Sequence, residues 1–237
     1  KPFAVEVLVE RVRAAARTPT AASRQVELGP ASMIIGNDPA IVEVYNAVAR
    51  VAPLPIPVLV RGETGTGKEL IARALHRYSA HPEGPFVPIN CGAIPDTLLE
   101  SELFGHRRGA FTGADRDHRG AIEAARAGTL FLDEVGELTA ALQVKLLRFL
   151  QSGEVRAVGS DRSLEVPVRV VAATNRNLRA EVAEGLFRED FFFRLAAYEI
   201  VLPPLRERRS DVALLVEHFR RAHAERLGLD LQTTVSA

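Results

Sequence analysis

The chain has 237 residues, 47% hydrophobic and 25% charged, enough apolar material for one large domain or a domain with appendages. Thirty basic residues balance thirty acidic ones, which argues against a general nucleic-acid or membrane-surface binder. The single cysteine, Cys91, excludes an internal disulfide, and with no long apolar span or signal peptide in the sequence the expectation is a soluble, cytoplasmic protein.

In chain order, residues 1–16 read as an amphipathic helix with Val5, Leu8, Val9 and Val12 on one stripe. Residues 17–32 lack periodicity and read as a linker. Asp38 and Pro39 supply an N-cap and a proline at the first helical position, ahead of a face of Ile41, Val44, Tyr45, Val48 and Val51. Pro53, Pro55 and Pro57 end that helix. Val58 to Val60 then suit a buried strand, and Leu70, Ile71, Ala74, Leu75 and Tyr78 recur at helical spacing behind a glycine-rich loop.

Phe86 to Asn90 reads as a second strand, placed at a sheet edge by Pro88. A short helix over 95–104 precedes a glycine-punctuated loop or hairpin over 105–120. Thr129 to Leu132 is fully apolar, as in a central parallel strand covered on both faces. Thr139 opens a helix bearing Leu142, Leu146, Leu147 and Leu150 that ends near Gly153. Strands over Val168–Ala173 and Tyr198–Leu202 follow, the latter stopped by Pro203 and Pro204. Ser210 opens a last helix, expected to bury Val212, Leu215, Val216 and Phe219 and to end at Gly228. The alternation predicts an α/β fold, a five-stranded parallel sheet with helices on both faces.

Gly62, Glu63, Thr64, Gly65, Thr66, Gly67 and Lys68 match G-x-x-x-x-G-K between a strand and a helix, the context that makes the pattern a phosphate site. The glycines let backbone N–H groups converge on phosphate oxygens at a helix N-terminus, and Lys68 reaches the β- and γ-phosphates. Where a hydroxyl residue usually follows the lysine to bind magnesium, this chain has Glu69, with Leu70 behind it. Asp133 and Glu134 end an apolar strand, which assigns Asp133 to Mg²⁺ and Glu134 to the attacking water. Thr174 and Asn175 end the next strand and would sit beside the γ-phosphate if that strand lies between the two nucleotide strands.

Gly109, Ala110, Phe111, Thr112, Gly113 and Ala114, preceded by Glu102-Leu103-Phe104-Gly105-His106, resemble the signature loop of the bacterial sigma-54-dependent transcriptional activators, AAA+ ATPases of the nitrogen-regulator type. The phosphate loop is similar to that family's, in which Glu after the lysine is usual. The resemblance spans about residues 33–220. It implies ATP and Mg²⁺ as ligands, an α/β core over 33–204, and the start of a helical lid over 205–237. It also implies a ring, a hexamer when active with a dimer as the inactive form, and contact of the 109–114 loop with sigma-54 and RNA polymerase. Physically, Phe111 and Thr112 between glycines offer an exposed grip in a flexible loop, the alternative being that Phe111 folds back as a plug.

By the same resemblance a second insertion around Ser152–Leu164 assists that loop, Asn90 holds the catalytic glutamate in an inactive pose, and Ile34, Ile35 and Gly36 line the adenine pocket. Arg188 and Arg194 resemble arginine fingers acting on a neighbouring subunit; Phe192 and Phe193 stand where Tyr-Tyr is more common. Without the resemblance, Asn90 is an ordinary turn asparagine, Ile34 to Gly36 a short strand, and the arginines a solvated helix face.

The segment from Lys1 resembles the last helix of a phospho-receiver domain, implying a two-component response regulator, with promoter DNA bound only through a C-terminal helix-turn-helix domain absent from this sequence. The family's lid carries a Trp-Pro-Gly-Asn segment, and this chain has no tryptophan. Two other classes share the nucleotide residues: a different AAA+ remodeller, which has no reason to carry the 109–114 hexapeptide, and a nucleotide-binding module with little turnover.

Overall fold

The computed structural model describes residues 34–227. The expected helix over 1–16, the linker over 17–32 and the helix end at Gly228 lie outside the described residues. Asp38 caps α1 (Pro39–Val51) by accepting a hydrogen bond from the Ala40 N–H, with Pro39 at the first position. Next come β1 (Val58–Arg61), α2 (Lys68–Arg77), β2 (Phe86–Asn90), α3 (Asp96–Phe104), α4 (Ala121–Ala124) and β3 (Thr129–Asp133). After them lie α5 (Ala140–Ser152), the short strands β4 (Glu154–Arg156) and β5 (Ser163–Glu165), β6 (Arg169–Thr174), α6 (Leu178–Ala183), α7 (Glu189–Leu195), β7 (Tyr198–Val201) and α8 (Val212–Leu227).

The five long strands form one parallel sheet in the order β2-β3-β6-β1-β7. Its two faces follow from the period of two along each strand. Leu59, Leu130, Leu132, Val170 and Ala172 point into one core with α3, α5 and α7; Val58, Val60, Phe131, Val171 and Ala173 point into the other with α1 and α2. Pro88 lies on an edge strand, as its missing N–H requires. Arg169, at the start of β6, ties the second layer together. Its guanidinium donates to the carbonyls of Val51, Ala52 and Leu75, at the C-terminal ends of α1 and α2.

Several expectations need correcting. The strand expected over Val168–Ala173 runs from Arg169 to Thr174, and the 152–164 insertion is a separate antiparallel hairpin of β4 and β5. Ile34 to Gly36 is not a strand. Thr139 sits at the N-cap of α5 without a side-chain cap bond. The last helix begins at Val212 after two short 3₁₀ turns, over Leu205–Glu207 and Arg209–Asp211. Its apolar stripe is not buried. Val216 is 51% and Phe219 56% exposed, and Val212, Leu215, Val216 and Phe219 line an open groove with Leu205.

Candidate active site

The strand order determines what meets at the C-terminal edge of the sheet. β6 lies between β1 and β3, with Arg61 opposite Thr174, Leu132 opposite Ala172 and Asn90 opposite Asp133. The loop that leaves β1, the Asp133–Glu134 pair that ends β3 and the Thr174–Asn175 pair that ends β6 therefore share one edge. The Gly62 N–H donates to the Thr174 carbonyl at 3.2 Å, and Asn175 Nδ2 to Thr64 Oγ1 at 3.3 Å, so β6 is bonded directly to the phosphate loop.

Within that loop, Thr66 Oγ1 donates to the Glu63 carbonyl at 2.8 Å, and Gly67 leads into α2 in the left-handed conformation. Lys68 begins α2, and its ammonium donates to the carbonyls of Gly62 and Glu63 at 2.9 and 3.0 Å, which holds it over the loop. Glu69 turns away to pair with Arg73 one helical turn on. Leu70 lines a cleft of about 660 Å³ together with Ile34, Ile35 and residues 63–67. Gly36 is not among the lining residues. Its backbone packs instead on Asp211, whose Oδ2 would lie 2.5 Å from a Cβ at that position.

The cleft's far wall escaped sequence reasoning. It comes from Leu202, Pro204, Leu205, Arg206, Arg208 and, on α8, Leu215, His218 and Phe219. Arg206 forks onto Glu63 with bonds of 2.7 and 2.6 Å across 143 residues of chain, and the guanidinium holds the Glu63 carboxyl below its ordinary pKa. Arg208 donates to the Thr66 carbonyl at 3.3 Å. Asp211, fully buried, accepts from the N–H groups of Asn37 and Asp38 at 2.7 and 2.9 Å. Burial, and then the charge of Asp211, push the nearby Tyr45 phenol up to about 12. The only local signal for this wall was the charged run after Pro204, which reads equally well as solvated surface.

At the end of β3, Asp133 Oδ1 accepts from the Glu134 N–H at 3.0 Å, and Glu134 adopts a left-handed backbone with φ +53°. A carboxylate at a strand end beside a phosphate loop is the donor type a hard divalent cation takes, so Asp133 fits Mg²⁺. Neighbouring Cys91 is buried, which with the charges of Asp133 and Glu134 pushes its thiol up to about 12. Asn90 ends β2 opposite Asp133. Its Oδ1 accepts from the N–H groups of Gly92 and Ala93 at 2.9 and 3.0 Å, and among the described residues it makes no hydrogen bond to Glu134. The turn uses the amide oxygen alone, so the Nδ2 group is the part of the side chain that could donate to a carboxylate.

The two candidate fingers bond to different partners. Arg188 forks onto Asp190, and its backbone N–H donates to the buried Gln143 side chain. Arg194 donates to the Leu150 carbonyl and lines a cleft with Pro57, Val168 and Arg169, at the end of the sheet opposite the phosphate loop. The 105–120 loop is pinned at its base by reciprocal bonds between His106 and His118. Gly109, Phe111, Thr112 and Gly113 are exposed and Ala110 half-buried, but Ala114 is buried and so offers a partner little surface. Phe111 is neither a plug nor free: it is 40% exposed, with its ring edge-on to His106 at 4.9 Å.

Residues 34–201 match the family described as the Sigma-54 interaction domain. The regulatory protein AtoC of Escherichia coli is 52% identical over 186 residues, 78% of this chain and 40% of its own length. The DNA-binding transcriptional regulator NtrC of Azospirillum brasilense is 50% identical over 224 residues, 92% of this chain and 46% of its own. The crystal structure of NtrX from Brucella abortus in complex with ATP superposes with a TM-score of 0.80 at 34% identity, covering 99% of this chain and 51% of that one. The chain thus spans less than half the length of these two sequence relatives. With an all-parallel 2-3-6-1-7 sheet and a phosphate loop after β1, it has the AAA+ P-loop NTPase fold and belongs to the sigma-54 interaction domain family.

Proposed function

We infer that this chain is the Mg-ATP-hydrolysing motor of a sigma-54-dependent activator, remodelling the closed RNA polymerase complex so that promoter DNA can open. The observation that carries the reading is the alignment of the phosphate loop, Thr174 and the Asp133–Glu134 pair on three neighbouring strand ends. ATP is the nucleotide favoured by the complex of NtrX, with which this chain shares its fold and a third of its sequence.

Lys68 neutralises the β- and γ-phosphates as it leaves the loop carbonyls, and Glu134 takes the proton of the attacking water. Asp133 holds Mg²⁺, which when bound offsets charge on the same phosphates. Asn175, bonded to Thr64, carries the state of the γ-phosphate into β6. Arg194 lies at the end of the sheet opposite its own phosphate loop, which supports its use, with Arg188, on a neighbouring copy in a ring. Phe111 and Thr112 deliver the resulting movement to sigma-54. The parent is a response regulator whose promoter contacts lie in another domain.

The test is the ATPase rate as a function of protein concentration, with Mg²⁺, beside Arg188→Ala. Specific activity should rise as copies associate and fall by about 10³-fold in the variant. A rate that neither rises nor depends on Arg188 would overturn the shared-site reading.

A further inference from the structure

We propose that Gln143 is a positioning residue for Arg188: its buried amide fixes the point on the backbone from which that arginine extends. Gln143 lies on α5 and is 1% exposed. Its Nε2 donates to the Leu138 carbonyl at 2.9 Å, and its Oε1 accepts from the Arg188 N–H at 2.8 Å. The two ends cannot exchange roles. A flipped amide would set an oxygen against the Leu138 carbonyl and an NH₂ group against the Arg188 N–H. Leu138 directly follows the 3₁₀ turn Val135–Glu137, which leaves the Asp133–Glu134 pair. One side chain therefore joins the segment behind that pair to the start of α7.

The backbone and the side chain of Arg188 are held in different ways. The N–H groups of Leu186 and Phe187 both donate to the Glu181 carbonyl, at 2.9 and 3.2 Å, within their own segment. Arg188 then stands at the N-cap of α7 between the buried Phe187 and Phe191, and its N–H crosses to α5. Its guanidinium forks onto Asp190 in a pair about half exposed on both sides, and exposed pairs contribute little. An anchored backbone under a weakly held guanidinium suits a group that swings out from a fixed origin. The same helix serves the second arginine, since the Leu150 carbonyl that Arg194 Nε reaches lies about two turns beyond Gln143 on α5. An apolar side chain of the same length at 143 would leave the Leu138 carbonyl and the Arg188 N–H without this shared partner. The start of α7 would then shift against α5, and a misplacement of about 1 Å can cost about 10²-fold in rate.

The inference rests on Arg188 acting on a neighbouring copy, and the experiment separates the two. Steady-state ATPase of the full chain with Mg²⁺ is measured for Gln143→Met, Arg188→Ala and the double variant, with nucleotide affinity followed by a fluorescent ATP analogue. Gln143→Met should lower kcat about 10²-fold, with analogue affinity within a few-fold of the parent. Added to Arg188→Ala it should cause no further loss, because no finger remains to be misplaced. Mixed with an excess of Glu134→Gln, whose own sites are blocked but whose Arg188 is intact, Gln143→Met should regain most of its turnover. Its own site then receives a neighbour's well-placed arginine. A parental kcat in Gln143→Met beside a slow Arg188→Ala overturns the role of Gln143 alone. So does a further loss in the double variant, or a mixture that stays slow, since a merely structural defect adds and stays within its own subunit. Undiminished turnover in Arg188→Ala overturns the underlying finger assignment. Should Gln143→Met not fold, Gln143→Asn carries the same tests, because it keeps the amide but is one methylene too short to span both partners.

Discussion

At the neck of the 105–120 loop two stretches of backbone touch, whereas at Gly109 and Gly113, near its tip, there is open space beside the backbone. Both places use glycine. A Cβ on Gly120 would lie 2.4 Å from the Gly105 nitrogen and 2.4 Å from the Phe104 carbonyl carbon, and the neck is closed by the paired bonds of His106 and His118. Val158, from the β4–β5 hairpin, bonds to Gly105 and Arg107 and braces it from the side. Gly113 has φ +99° and nothing within 4 Å of where a Cβ would stand. The neck needs glycine for contact and the tip needs it for conformation.

The comparison can be broken at three points. Gly120→Ala pushes a methyl group into backbone that cannot yield, and overpacking of this kind typically costs 1–3 kcal/mol, so we expect a loss of about 3 kcal/mol in urea unfolding. A loss below about 1 kcal/mol would mean the neck opens freely. Gly159, in the hairpin turn, combines both constraints: its φ is +76°, and a Cβ would meet the Ala110 Cβ at 2.8 Å. Gly159→Ala should cost about 2 kcal/mol, most of it the left-handed backbone. Pairing it with Ala110→Gly should recover the contact part only. Full recovery would show that the turn carries no conformational strain.

The parts of this molecule legible in the sequence are those encoded locally. The sheet strands announced themselves by apolar runs, α1 by Asp38 and Pro39, and the phosphate loop by glycine spacing between a strand and a helix. What escaped was set by contacts between distant residues. Glu63 gives no sign in its own neighbourhood that Arg206 will fork onto it, and Asp211 looks like a helix-start residue until it is found holding the N–H groups of Asn37 and Asp38. The stripe of α8 read as buried because period alone cannot say whether another element lies opposite.

The smallest expected effect is at the tip. The Ala114 N–H donates to the Phe111 carbonyl at 3.0 Å, closing a four-residue turn with Gly113 in third position and positive φ, where Gly and Asn are favoured. Gly113→Ala therefore meets no neighbour and pays only for its own conformation, about 1 kcal/mol in urea unfolding. Gly113→Asn should cost less, because its short polar side chain tolerates the left-handed region. The ranking of the two variants is the sharper readout. If conformation alone decides, asparagine, the bulkier residue, is the milder change. If asparagine is instead the worse of the two, the tip is packed against something, and the distinction between a closed neck and an open tip fails.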